Sequence, residues 1–198
     1  MADSLDRESI LHALREGIPF VLPTDTVYGL AALATNADAV AAIFAVKGRP
    51  VDTQIAALVG GVEQANELVD LGPVGGRLAE VFWPGALTIV APRRPGLSLA
   101  VGDSDTVGVR CPNHELVRSL AAELGPLAAT SANRHGEPTP VSAAAVARSL
   151  PEIALVVDGG QLSGEASTVV SVVGTGYRVL RAGPVTDHQI AAALQASI

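Results

Sequence analysis

The chain has 198 residues, enough for one domain with a substantial core; 48% are apolar and only 3% aromatic, so that core must be built from Ala, Val and Leu. With 17% charged residues the composition is that of a compact globule, not a disordered chain. The net charge of −7, from 20 acidic against 13 basic residues, opposes autonomous binding to duplex nucleic acid, though it leaves room for a local basic pocket.

No apolar run reaches the roughly 18 residues of a membrane span. The start, Met1-Ala2-Asp3-Ser4, has no apolar signal core, so a cytoplasmic location is expected. A single cysteine, Cys111, excludes an internal disulfide framework and a cysteine-based zinc site. The four histidines, His12, His114, His135 and His188, show no metal-ligand spacing.

In chain order, residues 5–16 read as an amphipathic helix closed by Gly17. Residues 18–22 form a short apolar run, read as a strand, feeding the loop Pro23–Gly29. Asn36 caps a helix through Val46, stopped by Gly48 and Pro50. A buried strand is expected over 55–59, two short helices near 62–69 and 74–82, a turn at Trp83-Pro84-Gly85, and a strand over 87–90. After a loop over 93–105 come a strand at 106–110, a helix from an Asn113 cap to Leu124, and a strand at 127–130. Ser142 opens another helix; strands follow over 153–157, 168–173 and 177–180, and Thr186 caps the last helix. Interleaved helices and strands define an α/β domain with helices packed on a central, twisted, mostly mixed sheet, because several neighbouring strands lack a helix between them. No repeat or linker divides the chain, so 1–198 reads as one domain.

Three segments carry polar groups that a fold alone does not require. The Pro23–Gly29 loop offers hydroxyls at Thr24, Thr26 and Tyr28 and a carboxylate at Asp25: a polar turn, or a seat for a small polar molecule. Lys47, the only lysine, and Arg49 stand at a helix end, where cations either oppose the helix dipole or clamp a phosphate. Thr130-Ser131-Ala132-Asn133 leaves a strand, as a turn or as a ligand contact at a strand's C-terminal mouth. Arg110 and Arg181, each after a short apolar strand, are rim residues or, with Arg49, partners for a triphosphate. There is no P-loop and no Gly-x-Ser-x-Gly elbow around Ser131.

Seven pieces in order resemble the YrdC/TsaC family of threonylcarbamoyl-AMP synthases. They are Pro23–Leu30, Lys47-Gly48-Arg49-Pro50, Phe82–Gly85, Val107–Arg110, Ser131-Ala132-Asn133 with Gly136-Glu137-Pro138, Ser167–Val170 and Leu180–Gly183. The resemblance implies a single YrdC-like catalytic domain with a concave ligand pocket. It implies a nucleotidyltransferase that joins L-threonine, bicarbonate and ATP to give threonylcarbamoyl-AMP and diphosphate. That is the first step of N6-threonylcarbamoyladenosine modification of tRNA, with the adenylate passed to downstream transferase proteins, at most weak tRNA contact and Mg²⁺ accompanying ATP. Carried over by position, Lys47 and Arg49 are catalytic. Thr26, Arg110, Ala129 and Ser167 surround threonine. Arg49, Thr53, Thr106, Ser131, Asn133, Thr139 and Arg181 contact ATP. The chain departs from the family at Thr53-Gln54-Ile55, where a Lys or Asn and then Pro-Leu is usual, at Leu58 in place of a histidine, and at Arg134-His135 before Gly136. Longer members add a second domain that helps cover ATP; the present chain is expected to be the catalytic core alone. The alternative is a divergent or non-catalytic RNA-binding or ribosome-maturation protein, against which the acidic balance speaks.

Overall fold

The computed structural model describes residues 4–48 and 55–196. The described residues run α1 (Ser4–Glu16), β1 (Phe20–Leu22), β2 (Gly29–Leu33), α2 (Ala37–Lys47), β3 (Ala56–Leu58), α3 (Val62–Leu68), α4 (Gly72–Phe82), β4 (Leu87–Pro92), β5 (Thr106–Arg110), α5 (Glu115–Leu124), β6 (Leu127–Ser131), α6 (Ala143–Ser149), β7 (Thr168–Ser171), β8 (Arg178–Arg181) and α7 (Asp187–Gln195). They form an eight-stranded sheet in the order β1-β2-β6-β3-β5-β4-β7-β8. The β3/β5 and β4/β7 pairs are parallel and the others antiparallel, so the sheet is mixed as expected.

Local chemistry sets most boundaries. The Asn36 side chain accepts from the Ala39 amide at the start of α2, and Gly48, at φ +59°, closes it in the left-handed region that side chains avoid. Ser142 caps α6, and Thr186 with Gln189 makes a reciprocal capping box on α7. Three expectations need correction. The helix after β5 takes His114, not Asn113, at its cap, and the His114 side chain makes no capping bond. The strand expected over 153–157 is a single parallel bridge between Val21 and Val156, in which the Val21 amide and carbonyl bond to residues 155 and 157 and the three-residue β1 extends the ladder no further. The strand β2 was not anticipated: Gly29-Leu30-Ala31-Ala32-Leu33 is apolar on both faces and so shows no alternation.

The two sheet faces are covered unequally. Ala57, Ile89, Val107, Val109, Ala128 and Val170 point into the larger core, which also takes buried residues from α2, α3, α4, α6 and α7. Full burial of a side chain such as Ile43 of α2 contributes about 1.5–3 kcal/mol. The opposite face carries a smaller core, in which Ile10, Ala13 and Leu14 of α1 and Val117, Leu120 and Ala121 of α5 cover Ala31, Leu58 and Leu127. Arg7 of α1 pairs with Glu123 of α5 across this layer. These two helices reach only the β1, β2, β6 and β3 side. Over β5, β4, β7 and β8 no helix among the described residues covers the same face, and the functional groups gather at its border with the covered half.

Candidate functional site

A cavity of about 280 Å³ opens on this uncovered face. Small residues from neighbouring strands make its floor: Gly29 of β2, Ala129 of β6, Ala56 of β3 and Gly108 of β5. Thr88 and Val90 of β4, Val169 of β7 and Leu58 continue it, and Arg110, Ser131, Ser167 and Arg181 give it polar walls. Arg110, Ala129, Ser131, Ser167 and Arg181, which the sequence reading grouped in one site, all line this cavity, although they come from five separate segments.

Arg110 is only 5% exposed, and its guanidinium is held on three sides. Nε donates to the Gly85 carbonyl at 2.9 Å, Nη1 to the Thr26 hydroxyl at 2.9 Å and Nη2 to the Asp25 carboxylate at 2.6 Å. Burial pushes its pKa down and the Asp25 charge pushes it back up; an arginine in this setting stays charged. Gly85 is required there because a Cβ would lie 2.4 Å from the Phe82 carbonyl oxygen. The Thr24 hydroxyl donates to the Val27 carbonyl at 2.7 Å and accepts from the Thr26 and Val27 amides. Its one proton is thus committed, so in the 3.0 Å Thr24–Thr26 contact Thr26 is the donor. Thr26 sits behind Arg110, 2% exposed, instead of lining the cavity. Tyr28 is fully buried and pins the following loop, donating to the Gly160 carbonyl at 2.7 Å and accepting from the Gly159 amide at 3.0 Å. The hydroxyls of the Pro23–Gly29 loop serve mainly to hold that loop and Arg110.

On the far wall Arg181 donates through Nε and Nη2 to the Ser167 carbonyl at 3.0 and 2.8 Å, and through Nη2 to the Ser167 hydroxyl at 3.1 Å. Gly183 permits this approach, since a Cβ there would stand 2.5 Å from the Ala166 carbonyl oxygen and 2.6 Å from the Thr168 nitrogen. Sequence reasoning missed Thr88, 5% exposed, whose hydroxyl lies 2.9 Å from that of Ser167. A threonine in an apolar strand reads only as a β-former, and the contact crosses 79 positions of chain.

The register makes the two arginines a matched pair. Ile89 faces Val109, which sets Thr88 against Arg110; Thr88 faces Val169, and Val169 faces Arg181. Arg110, Thr88, Val169 and Arg181 thus form one row across the sheet, and the backbone positions of the two arginines stand three strand spacings apart, about 14 Å along it.

Lys47, a candidate phosphate clamp in the sequence, does not line the cavity. It is 4% exposed, and its ammonium donates to the Ser131 carbonyl at 2.5 Å, the Asn133 carbonyl at 2.7 Å and Asn133 Oδ1 at 3.0 Å. Asn133 Oδ1 also accepts from the Ser131 hydroxyl at 2.5 Å, and its amide donates to the Glu137 carbonyl at 2.5 Å. Lys47 and Asn133 therefore lie directly behind Ser131, joined to the wall they do not themselves line. Thr106 shares a face with Gly108 and Arg110 but gives its hydroxyl to Asp103, and neither it nor Thr139 lines the cavity. Arg49 and Thr53 lie outside the described residues. A second cleft of about 320 Å³, between α4, the start of α3 and Arg118 of α5, contains none of the expected site residues.

An α/β domain whose open sheet face carries a small-residue floor and two arginines in its walls has the form of a binding domain for an anionic small molecule. The chain belongs to the Sua5/YciO/YrdC family, whose model, described as telomere recombination, matches residues 12–183. It is 41% identical over 190 residues to a putative threonylcarbamoyl-AMP synthase of Mycobacterium tuberculosis, covering 94% of this chain and 88% of that protein. It is 42% identical to the threonylcarbamoyl-AMP synthase of Bacillus subtilis, over 91% of this chain and 54% of that longer protein. The fold superposes on the crystal structure of Pyrococcus abyssi Sua5 complexed with L-threonine with a TM-score of 0.87 and 37% identity, over 96% of this chain and 57% of that one. The chain thus spans nearly all of its mycobacterial relative and just over half of the other two.

Proposed function

We infer that this chain is a threonylcarbamoyl-AMP synthase, joining L-threonine, bicarbonate and ATP with release of diphosphate for the N6-threonylcarbamoyladenosine modification of tRNA. The observation that carries the reading is the row Arg110–Thr88–Val169–Arg181, which offers a carboxylate pole and a phosphate pole to one extended product. The names of the relatives and the threonine bound to Sua5 support the same assignment.

In this reading Arg110 holds the threonine carboxylate, with its fork fixed beforehand by Asp25, Thr26 and Gly85. Ala129 and Gly108 leave room for the amino acid, and Ser167 meets its polar groups. Arg181 and Ser131 face the nucleotide, and Arg49 and Thr53 are proposed as further ATP contacts. Lys47 fixes the Ser131–Asn133 turn and adds its charge from beneath. The threonine nitrogen bonds to the bicarbonate carbon as water leaves, and the resulting carbamate oxygen bonds to the α-phosphorus as the bond to diphosphate breaks. Two anions must meet, so fixed cations and donors do the work that a side-chain nucleophile does elsewhere. Among the described residues no group of three or more His, Cys, Asp or Glu could hold a metal ion. Mg²⁺ would therefore come with the ATP phosphates, as it does where proteins supply few ligands of their own. No helix among the described residues is long and apolar enough to cross a membrane; a cytoplasmic location, and transfer of the adenylate to a partner enzyme, belong to the same proposal.

The test is diphosphate release and mass detection of the adenylate by purified protein, with threonine and bicarbonate each omitted in turn. Release that needs both is expected; release indifferent to threonine would overturn the assignment.

A further inference from the structure

Resting on that reading, we propose that Thr88 is a catalytic-site residue that seats the bicarbonate-derived carboxyl group, donating a hydrogen bond to it between the two arginines, one strand from Arg110 and two from Arg181. Three observations converge on it. The first is position. Thr88 occupies the cross-strand row between Arg110 and Arg181 and lines the cavity. A ligand anchored by its carboxylate at one arginine and its phosphate at the other must pass its central atoms over this point. In threonylcarbamoyl-AMP those central atoms are the carbon and oxygens that come from bicarbonate.

The second is the proton count. Thr88 and Ser167 each bring one hydroxyl proton, and their 2.9 Å contact uses one of the two. The Ser167 oxygen already accepts from Arg181. Among the described residues no other acceptor takes a proton from either hydroxyl, so the pair has one O–H to give; it is Thr88's when Ser167 donates across the contact, the arrangement the proposal takes. Both residues are 5% exposed, and a donor so placed at a cavity floor is matched to a ligand oxygen. Arg181 polarises the pair through its bond to Ser167, so the outward hydrogen bond is strengthened toward an anion.

The third is orientation. The Thr88 methyl lies over Gly108, where a Cβ would be 3.5 Å from it, and the hydroxyl turns toward Ser167. A β-branched side chain has few χ1 choices, so this hydroxyl is held in place before any ligand arrives. The chemistry it serves is balanced as written above: a C–N bond forms, water leaves with the carbon's original hydroxyl and an amine proton, and the carboxylate oxygen is held while it attacks phosphorus.

The experiment is Thr88→Val, which keeps the shape and the strand and leaves Ser167 bonded to Arg181. Initial rates of diphosphate release are measured while bicarbonate, threonine and ATP are varied separately in carbonate-depleted buffer. The KM for bicarbonate should rise about tenfold or more, as expected for loss of a hydrogen bond to a charged group. The KM values for threonine and ATP should stay within about twofold, and Thr88→Ser should recover most of the bicarbonate affinity. A bicarbonate KM unchanged in folded Thr88→Val would overturn the inference. So would a rise confined to threonine, which would place the free proton on the amino acid's own hydroxyl. If Thr88→Val does not fold, Thr88→Ala carries the same comparison with the same outcomes. Wild-type protein without bicarbonate-dependent release would instead defeat the synthase reading itself.

Discussion

Replacing Lys47 by Met separates two roles that a lysine in this motif can have. Met keeps the length and apolar volume of the stem and removes the charge and the donors. Three acceptors lose the ammonium, the Ser131 and Asn133 carbonyls and Asn133 Oδ1, but the Ser131 carbonyl keeps its bond from the Asn133 amide and Oδ1 keeps its bond from the Ser131 hydroxyl. The one carbonyl left unpaired, that of Asn133, costs about 1–3 kcal/mol. The variant no longer has to desolvate an ammonium ion, which offsets part of that cost. A net loss of about 1–2 kcal/mol follows, and for a domain of this size each kcal/mol lowers Tm by about 2–4 °C. Thermal and urea melts should show that loss together with a fall in adenylate formation. Asn133→Ala should lose much of the same stability, and the double variant less than the sum, because the two share one network. A Lys47→Met protein that melts like wild type yet makes no adenylate would refute this account and return Lys47 to direct phosphate contact.

Arg110→Lys keeps a charge but loses the fork that meets Asp25, Thr26 and Gly85; the KM for threonine should rise about 10–100-fold, read from varied-threonine kinetics, with the KM for ATP little changed. Gly183→Ala puts a Cβ 2.5 Å from the Ala166 carbonyl oxygen, so the 166–168 backbone must shift and take Ser167 and Arg181 with it; turnover should collapse with no charge altered. His114 Nδ1 is buried without a partner, and burial holds the imidazole pKa below its usual value despite the Asp25 charge. The unfolded chain therefore binds the proton more tightly, so stability from this group is full above about pH 6.5 and falls as pH drops toward the lowered folded value. His114→Asn, which removes the titration and supplies a cap, should melt higher at pH 7 by about 2–4 °C and lose less between pH 7 and 5 than wild type; a steeper loss in the variant would contradict the assignment. Threonine should be used far better than valine, with serine intermediate, in parallel adenylate assays, because a site that bonds a hydroxyl rejects the isostere lacking it more strongly than it rejects a missing methyl.

The sequence alone determined the elements whose signals are local. The Asn36, Ser142 and Thr186 caps, the glycine stop at Gly48 and the strand at 106–110 depend on a few neighbouring residues, and they stand where the chain chemistry put them. Motif order likewise named Arg110, Ala129, Ser131, Ser167 and Arg181 as one site. Only the tertiary structure decided what each polar group does there. Lys47 looked like a phosphate clamp until three acceptors from residues 131 and 133 were found on its ammonium. Asp25, a loop carboxylate in the sequence, is the counterion of Arg110 across 85 positions. Thr88 entered the site only because β4 lies between β5 and β7 in the sheet. A cap is a contact over three or four residues and is written in the chain; which hydroxyl faces a cavity, and which cation is already satisfied, depends on strand order and on which face the helices leave uncovered, and neither is a local property.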